Sequence, residues 1–231
     1  MMRRFAAIAL LLALLPASLM AYQLSPLNAT YEPTGAGSAK VYTIVNDSDS
    51  PIAIEVRAVK RSIDIDGNEY TEDASPYFTI QPAKMIIRPQ STQLVRVQYR
   101  GPQALTQEQS FRIIAEQIAM PQSAQEQTSG QMISFLFVYS TSAYVKPSRI
   151  VESISSEAYV NDEGRLEVMI HNTGSVHQLL NNIAITVSSA EGDSYQFTEA
   201  DLESITGSNL LTDSSRRVVI DVPEILAGDT G

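Results

Sequence analysis

Few residues in this 231-residue chain could do metal or catalytic chemistry, and their spacing fits none of it. His171 and His177 are its two histidines, six apart across a Gly-containing turn, and with no cysteine to join them they lack the further ligand a zinc site needs. They are read as exposed turn histidines. Asp64-Ile65-Asp66-Gly67-Asn68-Glu69 invites a calcium loop, but that pattern puts Gly sixth and Glu twelfth, whereas here Gly comes fourth. An Asp-Gly hairpin turn accounts for it better. Gly35-Ala36-Gly37-Ser38 lacks the Lys and the following helix that phosphate binding requires, so it is read as a hairpin loop. No Gly-x-Ser-x-Gly elbow occurs and no Ser, His and acid set assembles. The chain is expected to be non-enzymatic, without metal or cofactor.

The elements that would carry any site are short. Arg3 and Arg4, the apolar run Phe5 to Leu15, Pro16 and the small residues Ala17, Ser18 and Ala21 form a secretory signal peptide over residues 1–21. Its apolar run falls short of the ~20 residues of a membrane span. An exported chain with no cysteine must draw its stability from packed cores rather than disulfides. Net charge is -10, which disfavours nucleic acid and anionic lipid as partners.

β-branched and aromatic runs then recur between Pro, Gly, Asn and Asp turns, at intervals suited to antiparallel sandwiches. The expected strands are Tyr22–Thr30, Ala39–Asn46, Ile52–Ile63, Tyr77–Ile80, Lys84–Ile87, Gln93–Tyr99, Phe111–Ile118 and Gln131–Val145. Val95, Val97 and Tyr99 alternate with Arg96, as a half-buried strand requires. Lys146-Pro147-Ser148 marks a boundary between a first domain, 22–147, and a second, 148–231. In the second, strands are expected at Arg149–Ile154, Leu166–Ile170, Asn182–Val187, Tyr195–Phe197 and Arg217–Asp221, and one helical turn at Ala200–Ile205. That half is short of the ~100 residues of a full sandwich, so it is either reduced or lacks its last strands.

Gln131–Val145 stands out, roughly twice a normal strand length and apolar on both faces. Ile133, Phe135, Phe137 and Tyr139 share one face; Met132, Leu136 and Val138 share the other. Either the strand is central and buried on both sides, or it is an edge strand that keeps a bulky row for a partner.

Leu24-Ser25-Pro26-Leu27 in the first strand, Val41 to Asn46 closing the second with Asn, Ile87-Arg88-Pro89 through Arg96-Val97, Phe111-Arg112 through Gln117-Ile118, and Tyr144-Val145-Lys146-Pro147 ending the long strand form a set. Together these stretches resemble the periplasmic pilus chaperones of the chaperone-usher pathway. The aromatic-Arg pair is similar to the archaic branch. The resemblance implies an all-β chain of two immunoglobulin-like β-sandwich domains set at an angle. It further implies a periplasmic chaperone that lends its long strand to pilus subunits and delivers them to an outer-membrane usher. Ile133, Phe135, Phe137 and Tyr139 would then enter the subunit's groove. The positions that hold the subunit's terminal carboxylate in the best-known branch fall on Asn28 and Ser142, neither basic, so the anchor is moved to Arg112, with Arg96, Arg100 and Lys146 as further candidates. Self-association of an unliganded chain through the same strand stays open. The rival reading is a structural or adhesive surface protein of similar sandwiches, such as a pilus component.

Overall fold

The computed structural model describes residues 22–120 and 135–226. The proposed signal peptide, 1–21, therefore lies outside the described residues, as do Ile133 and the first part of the expected long strand. The described chain is nearly all sheet and folds as two β-sandwich domains, as expected.

The first contains strands β1 (Gln23–Ser25), β2 (Asn28–Tyr31), β3 (Ala39–Asn46), β4 (Ile52–Ile63), β5 (Glu69–Asp73), β6 (Phe78–Gln81), β7 (Lys84–Ile87), β8 (Ser91–Tyr99), β9 (Gln109–Ile118) and β10 (Val138–Val145). One sheet runs β1-β3-β8-β6; the other runs β2-β10-β9-β4-β5, with β7 also on β4. All pairings here are antiparallel except β10 with β2, which is parallel. The expected strand Tyr22–Thr30 is in fact two strands in opposite sheets. Pro26 has no N–H to continue a ladder, and the chain crosses there.

Alternation sets the core. Val95, Val97 and Tyr99 of β8 are buried while Arg96 is exposed, and Phe111, Ile113 and Ala115 of β9 face the same interior. Phe78 sits at its centre, with Phe111, Tyr99 and Tyr31 around it at 5.0, 5.5 and 5.6 Å between ring centres, all near edge-to-face. Asn46 is 1% exposed, and its Nδ2 donates to the carbonyls of Ser50, Ile87 and Arg88 at 2.9, 3.2 and 3.0 Å. Its Oδ1 accepts from the backbone N and hydroxyl of Ser48. One side chain thus pins the β3–β4 turn to the end of β7.

The second domain has the sheet β11 (Ile154–Val160), β12 (Arg165–Asn172) and β17 (Ser215–Asp221). Two short ladders join it: β13 (Gln178–Leu179) with β16 (Asn209–Leu210), and β14 (Thr186–Ser188) with β15 (Ser194–Gln196). The helical turn expected at 200–205 is α1 (Glu199–Leu202), started by a capping box in which Thr198 and Asp201 bond each other's backbone N–H. The strand expected at Arg149–Ile154 is not there. That segment is held to the Ser175 loop, and the edge strand β11 begins where it was expected to end. All of β11 is exposed, so no burial pattern marks it.

Asn46→Ala should strip three carbonyls, the buried one of Ile87 among them, of their donor and cost about 1–3 kcal/mol. A lowered denaturation midpoint at unchanged slope would show this; an unshifted midpoint would count against the pin.

Candidate functional site

β10 is paired unequally on its two sides. β9 accompanies it along its whole length, from Val138↔Glu116 to Val145↔Gln109, whereas β2 covers only Ser142–Val145. Among the described residues, Val138–Thr141 therefore has one open margin. Backbone direction alternates along the strand: Phe137 accepts from Gln117 N of β9, while Ser142 N and Lys146 N donate to Leu27 and Tyr31 on the β2 side. By the same alternation, the N–H and C=O groups of Val138 and Ser140 face the open margin.

The side chains sort in step. Thr141, Ala143 and Val145 are buried in the sandwich, and Thr141 Oγ1 donates to the Ile113 carbonyl at 3.1 Å. Tyr139 lies on this face too, its ring 4.7 Å from that of Tyr22, and Phe137 packs partly on the same core. Phe135 is 59% exposed, and on the outward side Leu136 and Val138 are 48% and 57% exposed. Of the four bulky residues expected to serve a partner, Phe137 and Tyr139 thus rest against the chain's own core, Phe135 stands clear, and Ile133 is outside the described residues.

The outer face of this sheet ends in a charged corner. Arg112 lies opposite Ser142, which lies opposite Asn28, so the three share one cross-strand row. Arg112 Nη1 donates to Ser142 Oγ at 2.9 Å, and its Nε and Nη2 donate to the two carboxylate oxygens of Glu69 at 2.8 and 2.5 Å. This is the bidentate fork that suits guanidinium to carboxylate. Arg61, its side chain only 7% exposed, brings Nε to 2.8 Å from the same carboxylate, and its Nη1 donates to Tyr144 Oη at 3.3 Å. Hydrogen bonds from Arg112, reinforced by the charge of Arg61, hold the Glu69 carboxyl below its ordinary range, and the bond to Glu69 raises Arg112.

The two domains meet beside this corner. Asn209 Nδ2 donates to Tyr144 Oη at 2.5 Å, and the Tyr144 ring stacks on His177 at 3.9 Å. His177 Nδ1 lies 2.6 Å from the buried Glu108 carboxylate. Arg217 donates to Asp66 in the Asp64–Asn68 turn. Gly67 in that turn has φ of 90°, and an added Cβ would collide with the Arg216 guanidinium. The turn is the expected Asp-Gly hairpin, and it also braces the second domain.

Both histidines are partnered rather than exposed in turns, which corrects the sequence reading: His171 sits within β12 and contacts Ser215 and Glu157. Strand pairing and stacking hold them in place, and six-residue spacing showed neither. Arg96 lies exposed on the opposite sheet, with Gln98 at 3.5 Å, and Arg100 is exposed just beyond β8. Lys146 is half-buried past the end of β10. None of the three joins Arg112. Glu69 and Tyr144 entered the sequence reading only as part of a turn and of a strand end, and Arg61 not at all; with Glu55, Arg57 and Lys60 in the same β4, nothing in the pattern set Arg61 apart.

The family model of the pili and flagellar-assembly chaperones, PapD N-terminal domain, matches residues 32–150, which include Arg61, Glu69, Arg112 and β10. Solved structures are similar across both domains. A chain of the CsuC–CsuE chaperone–tip adhesion subunit pre-assembly complex, from archaic chaperone-usher Csu pili of Acinetobacter baumannii, aligns over 88% of this chain and 88% of its own, with TM-score 0.61 and 14% identity. The class 5 fimbriae chaperone CfaA aligns over 84% of each chain, with TM-score 0.58 and 17% identity. The E. coli chaperone DraB aligns over 88% of this chain and 86% of its own, with TM-score 0.55 and 14% identity. At these identities the likeness concerns the fold. No curated protein matches the sequence.

A carboxylate whose folded pKa lies below its unfolded value adds stability that is complete above the unfolded value, about 4.3 for Glu, and is lost as pH falls through the folded one. Glu69→Gln should therefore cost about 1–3 kcal/mol at neutral pH, with the gap to the unmodified chain closing below pH ~4. Denaturation series at neutral and acid pH would show the convergence; a gap independent of pH would contradict the charge assignment.

Proposed function

The chain belongs to the family of pili and flagellar-assembly chaperones, and from that premise we propose that it is a periplasmic chaperone that binds pilus subunits by lending them the open margin of β10. The observation that carries this reading is the one-sided pairing of Val138–Thr141, with exposed Phe135, Leu136 and Val138 alongside. Such a margin is a template for another strand. A subunit with a gap in its own sheet pairs with the Val138 and Ser140 backbone, which sets register, while the exposed side chains of Phe135, Leu136 and Val138 pack into its groove.

Burial of each large apolar side chain contributes roughly 1.5–3 kcal/mol gross, against association costs of about 4–15 kcal/mol. Several side chains must therefore act together, so the strand rather than any single residue is the binding unit. The complex that aligns with this fold, a chaperone holding a tip adhesion subunit, agrees with subunits as partners. Delivery to an outer-membrane usher, and export by the 1–21 segment, complete the proposal.

Phe135→Asp should abolish recovery of a co-purifying subunit from periplasm and leave the melting temperature unchanged, since Phe135 stands clear of the core. Unchanged recovery would sink strand donation at this position. A pair of proline variants separates the two edges of β10. Ser140→Pro removes only a margin-facing N–H and should cost subunit binding but little stability, whereas Thr141→Pro breaks the β9 ladder and should cost about 3 kcal/mol or more of stability. The reverse order would contradict the edge assignment.

A further inference from the structure

In the second domain the β14–β15 ladder ends sooner than its strands require. The two pair at Thr186–Ser188 and Ser194–Gln196, and the Phe197 N–H carries the ladder on to the Ile185 carbonyl at 2.9 Å. There it stops, because the capping box at Thr198 turns the chain away into α1. By the alternation of an antiparallel ladder, the N–H and C=O of Ile183 face the gap so opened, and among the described residues neither finds a backbone partner. The gap is a groove of about 710 Å³ walled by Ile183, Ala184, Phe197, Ala200 and Leu202, in the size range of ligand-binding clefts.

Its charge is one-sided. Glu199 and Glu203 also line the groove, both exposed, four residues apart along α1 and its C-terminal cap. Neither forms an ion pair among the described residues, and like charges at this spacing repel. Asp201 between them is engaged within the fold, accepting from Thr198 N and Tyr195 Oη at 2.8 Å each. No Lys or Arg occurs from 166 to 215. The net charge of -10 belongs to this half of the chain: residues 148–231 hold 14 Asp and Glu against four Arg, whereas residues 1–147 hold 12 of each sign. Of those four, Arg165 pairs with Asp221, Arg217 pairs with Asp66 of the first domain, and Arg216 is buried. The field over the groove is therefore negative and uncompensated.

We propose that this groove is a docking site for an extended protein segment that carries Lys or Arg beside apolar side chains. A second copy of the chain is disfavoured as occupant, since it brings the same acidic surface. A cation set between Glu199 and Glu203 relieves their repulsion, an apolar neighbour packs on Ile183 and Ala200, and the Ile183 backbone offers one strand-like pair of hydrogen bonds. Charge attraction speeds encounter, and the apolar contact holds the segment. The groove is built wholly of second-domain residues, so it stands or falls independently of strand donation by β10.

The test uses the whole chain and three synthetic peptides, acetyl-Leu-Lys-Val-Lys-Leu-amide and its analogues with Gln or Glu in place of Lys. The Lys peptide should bind saturably, shift the amide resonances of Ala184 and Phe197 but not those of β8, and weaken as NaCl is raised. The Gln peptide should bind roughly threefold more weakly or worse, as should the Lys peptide to a chain carrying both Glu199→Gln and Glu203→Gln. The Glu peptide should not bind. Ala200→Phe fills the groove without altering charge and should abolish binding at unchanged melting temperature; Ala184→Phe serves instead should that variant not fold. Subunit recovery should be unaffected by either, which separates a failure here from a failure of strand donation. No binding of the Lys peptide, or equal binding of the Gln peptide, overturns the proposal. Full binding to the filled groove overturns it too, leaving only a diffuse acidic surface. So does self-association of the free chain that Ala200→Phe abolishes, which would make a second copy the occupant.

Discussion

The structure turns on a strand that, among the described residues, is paired on one side for its whole length and on the other for only half of it. The cause lies at the start of the fold. The first strand leaves its sheet at Pro26, and its continuation, β2, begins only at Asn28, four residues long. β2 therefore reaches Ser142–Val145 of β10 and no further. Had Tyr22–Thr30 run on in one sheet, the margin would lie elsewhere or be closed. An open margin is a hazard of self-pairing for any sheet protein. Here Phe135, Leu136 and Val138 lie exposed beside it, the combination on which the proposed strand donation rests.

The charged corner sits where that margin ends. Its arginines are costly to bury singly and tolerable only while a carboxylate faces them. Their surroundings tie the corner to the rest of the molecule: Tyr144 links Arg61 to Asn209 and His177, and the turn that presents Glu69 also meets Arg216 and Arg217. The pairing of Glu69 with these arginines is thus mechanically close to the contact between the two domains.

How much of this was legible in the sequence depended on burial. β8 and β9 were readable because each buries one face, so Val95, Val97 and Tyr99, or Phe111 and Ile113, recur at period two. β11 was not, since all its residues are exposed and nothing selects apolar positions. The row Phe135, Phe137, Tyr139 was visible as alternation, but period two states only that a face is apolar. It cannot say whose core that face meets, and Phe137 and Tyr139 touch their own. Arg112 emerged through the family resemblance. Arg61 and Glu69 did not, because their partnership exists only after the Asp64–Asn68 hairpin folds back, and the hairpin motif says nothing of what flanks it.

Amide hydrogen exchange along β10 tests the central claim most directly, residue by residue, in the free chain and in complex with its subunit. The account predicts fast exchange at Val138 and Ser140 beside slow exchange at Tyr139 and Thr141 in the free chain, with Val138 and Ser140 becoming protected on binding. Protection of all four in the free chain, or no gain at Val138 and Ser140 in the complex, would contradict it.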